Sequence, residues 1–157
     1  MKVHAIILGD DNVEDVKKSF NSVIDCDAIS VLNYTLVDGF EQFLGNNRGY
    51  HHLAKDVSFE DEINKVVREV DSDYYVVLDS GYTVNNISSA INKFYDKNKF
   101  TMVLPESGLN KLIVNSHVHN RLFGFSQKQS IIEKIKIFAE NTGEQNMILK
   151  DIEVLYG

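Results

Sequence analysis

The stretch Tyr74-Tyr75-Val76-Val77-Leu78, followed at once by Asp79-Ser80-Gly81, decides the fold. Consecutive β-branched and aromatic residues without polar alternation mark a strand buried on both faces, the habit of a central strand in a parallel sheet. The acid, serine and glycine that stop it are turn formers. Upstream, Val3-His4-Ala5-Ile6-Ile7-Leu8 runs into Gly9-Asp10-Asp11 in the same way, and Ala28 to Leu32 is a further short apolar run ending on Asn33-Tyr34. Helical patterns lie between these runs. Such alternation predicts an α/β domain with a mostly parallel central sheet and crossover helices.

Working outward, Asn12 is placed to cap a helix through Ile24, with Val13, Val16, Phe20 and Val23 at helical spacing. Asp38 or Gly39 opens a short helix containing Phe40, Phe43 and Leu44, and Tyr50 to Leu53 reads as a weak strand or a loop. Ser58 caps a second long helix whose first turn holds Glu60, Asp61 and Glu62, matching the helix dipole. Its apolar face is Phe59, Ile63, Val66, Val67 and Val70. Beyond the central strand the pattern predicts a helix from about Asn86 to Lys97 and a strand from Thr101 to Leu104, stopped by Pro105. A hairpin-like stretch from Leu109 to Phe125, a helix from Gln129 to Asn141 ended by Gly143, and a last strand from Ile148 to Leu155 complete the chain. No repeat or low-complexity linker interrupts it, so 1–157 reads as a single domain.

The 157 residues are 43% hydrophobic and 25% charged, ordinary values for a chain with one buried core. A net charge of −7 argues against broad binding to nucleic acid or to an anionic membrane, both of which need a positive surface. Cys26 is the single cysteine, which excludes an internal disulfide and a cysteine-rich metal site and points to a reducing compartment. No targeting segment or membrane-spanning apolar run is read, and a cytoplasmic location is expected.

In an open parallel sheet, ligands bind where the carboxyl ends of the strands meet loops and helix N-termini. The polar clusters fall at such places: Asp10-Asp11-Asn12, Asn33-Tyr34, Asn46-Asn47-Arg48 and Asp79-Ser80-Gly81. Each alone is an ordinary cap or turn; four on one edge suit a polar ligand. A response-regulator receiver is disfavoured, because Asp79 lies too far from Asp10 and the chain has no Lys-Pro pair. Dinucleotide binding is disfavoured too, since Gly9-Asp10-Asp11-Asn12 is not a glycine-rich turn.

The order of these motifs resembles that of family-2 glycosyltransferases of the GT-A fold. Those enzymes carry a second strand ending in V-D-N-G-S-T-D-G, then N-R-G-x-x-x-A-R-N, then a strand ending in a D-x-D-like acidic motif. Here the corresponding segments are Ile29-Ser30-Val31-Leu32-Asn33-Tyr34-Thr35-Leu36-Val37-Asp38-Gly39, then Asn47-Arg48-Gly49-Tyr50-His51-His52-Leu53-Ala54-Lys55-Asp56, then Tyr74 to Gly81. Tyr82-Thr83-Val84 is expected to lead into a helix, as in that family. The resemblance implies a three-layer, Rossmann-like GT-A domain, with 1–104 as the nucleotide-sugar-binding half and 105–157 as a shortened acceptor side. It implies a site for a nucleoside diphosphate sugar lined by Gly9, Asp11 and Asn33 at the base, by Lys55 toward the diphosphate and by Asp79. It also implies a divalent cation, manganese or magnesium, on Asp79, with His119 as a further candidate ligand.

The chain departs from the family pattern at Gly81, where the second carboxylate is expected, and at Asn33, where an acid is usual. The remainder after Pro105 offers Glu140, Glu144 and Asp151 as candidate bases; Glu144, following Gly143 in a loop, best matches the family's acidic pair. Two functions are therefore expected as alternatives: a transferase moving a sugar to an acceptor, or a GT-A-like domain that has lost catalysis and serves as a binding or assembly module. A homodimer is a further expectation.

Overall fold

The computed structural model describes residues 2–34 and 48–85, together with the backbone of three short strands at 102–103, 112–115 and 153–156. Its elements run β1 (Val3–Leu8), α1 (Val13–Ser22), β2 (Ala28–Asn33), β3 (Arg48–His52), α2 (Phe59–Glu69), β4 (Tyr74–Asp79), β5 (Tyr82–Asn85), β6 (Met102–Val103), β7 (Leu112–Asn115) and β8 (Glu153–Tyr156). A six-stranded sheet has the order β3-β2-β1-β4-β7-β6, and β5 pairs with β8 in a separate two-stranded sheet. β1 lies parallel to both β2 and β4, and β2 parallel to β3; β7 runs antiparallel to β4 and to β6. The architecture is an α/β, Rossmann-like, mostly parallel sheet, as the sequence predicts.

β1 and β4 are central because both are rich in apolar residues buried on both faces of the sheet. All six residues of β1 are buried, and so are the five residues Tyr74 to Leu78 of β4. Val3, Ala5 and Ile7 on β1 join Tyr74, Val76 and Leu78 on β4 in one core with Val16, Phe20 and Val23 around α1. From β1 to β2 the chain steps one way across the sheet, and from β3 to β4 it steps back. Right-handed crossovers therefore put α1 and α2 on opposite faces, where α2 buries Ile63, Val66 and Val67.

The helix starts follow their caps. Asn12 Oδ1 accepts from the Asp15 N–H at 3.3 Å, and Ser58 Oγ accepts from the Asp61 N–H at 3.1 Å. On the α2 face of the sheet, His4 is fully buried with its Nε2 2.7 Å from Ser30 Oγ, while its Nδ1 has no hydrogen-bond partner among the described residues. Burial, and secondarily the neighbouring His51, lower its pKa to about 4, so the ring is neutral at physiological pH.

Two segments gain definition. Residues 48–52 form a parallel edge strand, one of the two alternatives for this segment, in register with β2 from Ile29↔Arg48 to Asn33↔His52. Tyr82-Thr83-Val84 belongs to strand β5, whose partner β8 comes from the far end of the chain and cannot be read from local pattern. The expected helices at 38–44, 86–97 and 129–141 lie outside the described residues, as do most of the 109–125 stretch and the start of the expected last strand. No helix among the described residues is long and apolar enough to cross a membrane.

Candidate functional site

Parallel register brings the carboxyl ends of β1, β2, β3 and β4 to one edge, with Leu8 opposite both Leu32 and Asp79, and Asn33 opposite His52. Three of the four polar clusters of the sequence meet there; Arg48 instead opens β3 at its amino-terminal end, opposite Ile29, and 46–47 lie outside the described residues. Gly9 closes β1 by donating its N–H to Leu32 O at 2.7 Å. A Cβ at Gly9 would stand 3.0 Å from Asn33 Nδ2 and 3.2 Å from Leu32 O, so the close approach of β1 and β2 at this edge is what requires glycine.

Asn33 is 2% exposed and its amide donates to the backbone carbonyl of Asp10 at 3.2 Å. It fixes the loop after β1 from below. Tyr34, next along, sends its hydroxyl to the Val57 carbonyl and lies against Phe59 with ring centroids 4.9 Å apart. The end of β2 is thereby tied to the start of α2.

Asp10 is the organising acid. Its Oδ1 accepts from the Asn12 N–H at 2.9 Å and from Ser80 Oγ at 3.0 Å, linking the loop after β1 to the turn after β4. Asp79, half-buried at the end of β4, has its carboxyl held above the usual carboxylate range, first by burial and then by the charge of Asp10. The edge thus presents two like-charged acids and a bridging hydroxyl, an all-oxygen donor set suited to hydroxyl groups or to a hard cation.

The turn after Asp79 is rigidly built. Ser80 N–H donates to Leu8 O at 2.9 Å, and Gly81 adopts φ 91°, a left-handed conformation that an L-residue with a side chain rarely takes. The absence of a second carboxylate at position 81 is therefore built into the backbone of this turn.

Of the residues singled out from sequence, Gly9, Asn33 and Asp79 meet at this edge. Asp11 is exposed in the same loop, and Lys55 is exposed just beyond β3. His119 and Glu144 lie outside the described residues. Asp10 and Ser80 are read from sequence only as members of the polar clusters, not as site residues, and Ser19 is not read at all. For Asp10 the signal was available, since an acid two positions before an N-cap asparagine suits an Asx turn; for Ser19, a polar residue within the buried stripe of α1, no local pattern told a packed serine from a functional one.

A second concavity of about 450 Å³ lies between the amino-terminal half of β2, β3 and the end of α2, lined by Asp27, Ser30, Gly49, His51 and Glu69 among others. Its lining includes none of Gly9, Asp10, Asn33, Asp79 and Ser80. Asp27 is engaged structurally, accepting from the Val3 N–H at 2.8 Å, and His51 faces Glu62 at 3.7 Å.

The sheet order is that of a GT-A-like fold, and solved structures of that fold match the chain. Three solved structures illustrate the likeness. The mannosyltransferase PcManGT from Pyrobaculum calidifontis, in complex with GDP-Man and Mn2+, matches over 96% of this chain and 55% of its own, with TM-score 0.74 and 10% identity. S. aureus TarS 1-349 in complex with UDP-GlcNAc matches over 96% and 56%, with TM-score 0.66 and 12% identity. The glycosyltransferase GlyE of Streptococcus pneumoniae TIGR4 matches over 96% and 45%, with TM-score 0.60 and 14% identity. The chain thus spans about half the length of these structures. The sequence matches no protein-family model and no curated protein.

Proposed function

We propose that this chain binds a nucleoside diphosphate sugar at the carboxyl edge of its sheet and transfers the sugar to an acceptor. The observation that carries the proposal is the convergence of Asp10, Ser80 and Asp79 on the ends of adjacent parallel strands β1 and β4, in a GT-A-like fold. Asp79 would accept from hydroxyl groups of the nucleotide, and Gly9, Asp11 and the Asn33-braced loop would shape the base pocket. Lys55 is proposed to face the diphosphate and Glu144 to take the proton of the acceptor hydroxyl.

The donor set fits a divalent cation of the manganese or magnesium kind. Such ions bind through one or two carboxylates, with substrate phosphates and water completing the shell. Among the described residues no group of three or more His, Cys, Asp or Glu gathers to form an all-protein cage. Asp79, with Asp10 beside it, would hold the ion, and Gly81 contributes no side chain; His119 stays a candidate from sequence. When bound, the cation would supply positive charge to the leaving diphosphate.

Gly81 favours a second reading. A turn whose backbone excludes the second acid suits a GT-A-like domain that binds a nucleotide as a binding or assembly module without turnover.

Calorimetric titration with UDP and GDP, each with manganese and with chelator, on the wild type and Asp79→Ala tests the proposal. Binding abolished by Asp79→Ala is the expected result; no binding of either nucleotide to the wild type would reject it. A sugar-donor screen for product then separates transferase from binding module.

A further inference from the structure

We propose that Ser19 is a positioning residue for the strand-end site: from inside α1 its hydroxyl clamps the turn after β4 so that Ser80 meets Asp10. The proposal rests on the nucleotide-binding reading above and deepens it.

Ser19 is fully buried. Its Oγ donates to the Tyr82 carbonyl at 2.7 Å, lies 3.3 Å from the Asp79 carbonyl, and accepts from the Gly81 N–H at 3.0 Å. One hydroxyl therefore meets three backbone groups of a single turn, 60 to 63 positions away in sequence for the two carbonyls. A serine inside a helix ordinarily bonds back to its own preceding turn. Ser22 does so, donating to Ser19 O at 2.7 Å; Ser19 reaches outward instead.

The clamp gives both acids a common reference. At its start, α1 carries Asn12, whose N–H binds Asp10 Oδ1; in its middle it carries Ser19, which holds the turn bearing Asp79 and Ser80. The left-handed Gly81 needs such support, because its N–H otherwise has only a 3.3 Å approach to Asp15 O. Without the hydroxyl the Gly81 N–H keeps only the longer Asp15 bond and the Asp79 and Tyr82 carbonyls lose a donor, so the turn shifts. The 3.0 Å bond from Ser80 to Asp10 is then lost, and with it the spacing of the two acids.

The test compares the wild type, Ser19→Ala and Ser22→Ala for UDP and GDP binding by calorimetry, with the Gly81 amide followed by NMR hydrogen exchange. In the wild type the Gly81 amide should exchange slowly, like the amides of β4. Ser19→Ala should shift and deprotect it and weaken nucleotide binding about tenfold, the equivalent of one hydrogen bond. Ser22→Ala should keep wild-type affinity. A folded Ser19→Ala protein with unchanged affinity overturns the proposal, as does an equal loss in Ser22→Ala. Should Ser19→Ala fail to fold, Ser19→Cys takes its place with the same readouts: a deprotected Gly81 amide with weakened binding upholds the clamp, and both unchanged overturn it. Absence of UDP and GDP binding to the wild type would reject the nucleotide reading, leaving the clamp to be judged on the Gly81 amide alone.

Discussion

Ser80 donates its hydroxyl to Asp10 at 3.0 Å, joining the ends of β4 and β1 across 70 positions of sequence. The bond makes the two acidic loops one structure and leaves the Asp79 carboxyl to face the charge of Asp10.

Asp10→Asn should lower the pKa of Asp79, because it removes the second of the two causes that raise it. A carbon-13 carboxyl titration reads this directly, and an unchanged titration would show that Asp10 exerts no such effect. The stability effect has a definite sign. An acid whose pKa is raised by folding holds its proton where the unfolded chain has released it, so its contribution to stability falls as pH rises through that window. Asp79→Asn should consequently raise the melting temperature of the ligand-free protein above the window, most visibly near neutral pH, and have little effect below it.

His4 gives the opposite pH dependence. Its pKa falls to about 4 on folding from an ordinary 6.5, so protonation favours the unfolded chain. Stability from this residue is complete above pH 6.5 and is lost as pH falls toward 4, by roughly 3 kcal/mol in all. Denaturant unfolding between pH 7 and 4 should show this slope, and His4→Gln should flatten it. A wild-type profile without a slope in that range would contradict a neutral, buried His4.

Gly9→Ala should cost about 1–3 kcal/mol, the usual range for overpacking a tight site. The new methyl group meets the Asn33 amide and the Leu32 carbonyl together, and neither can move without disturbing the loop that carries Asp10. Chemical denaturation measures the loss. A Gly9→Ala protein as stable as the wild type would show that Asn33 does not hold this loop.

Cys26 should resist thiol reagents in the native state. Burial, then the nearby Asp25 and Asp27, push its thiol up to about 12, and the thiolate is the reacting form. Ellman's reagent at pH 8 should leave it unmodified until denaturant is added; prompt native reaction would mean that the segment after α1 opens readily.

How far the site was legible follows from where its signals lie. Gly9 follows one unmistakable strand and Asp79 ends another, so their place at the carboxyl edge of the sheet was readable from pattern. The part played by Asn33 was only half readable: its position at the end of β2 was plain, but its amide donates to the Asp10 carbonyl, a contact between that strand end and the loop after β1. Of the neighbouring acids Asp10 and Asp11, sequence favoured the second. The Asx turn selects the first, because the Asn12 N–H and Ser80 both converge on it.

The sequence by itself determined the strands β1, β2 and β4, the capped helices α1 and α2, and the polar edge, because apolar periodicity and caps act over a few residues. Tertiary structure alone decided that residues 48–52 pair as an edge strand, that Tyr82–Asn85 joins Glu153–Tyr156, and that Ser19 meets the turn after β4. Those contacts depend on register and on which helix crosses which face, so they form between segments whose local patterns carry no information about one another.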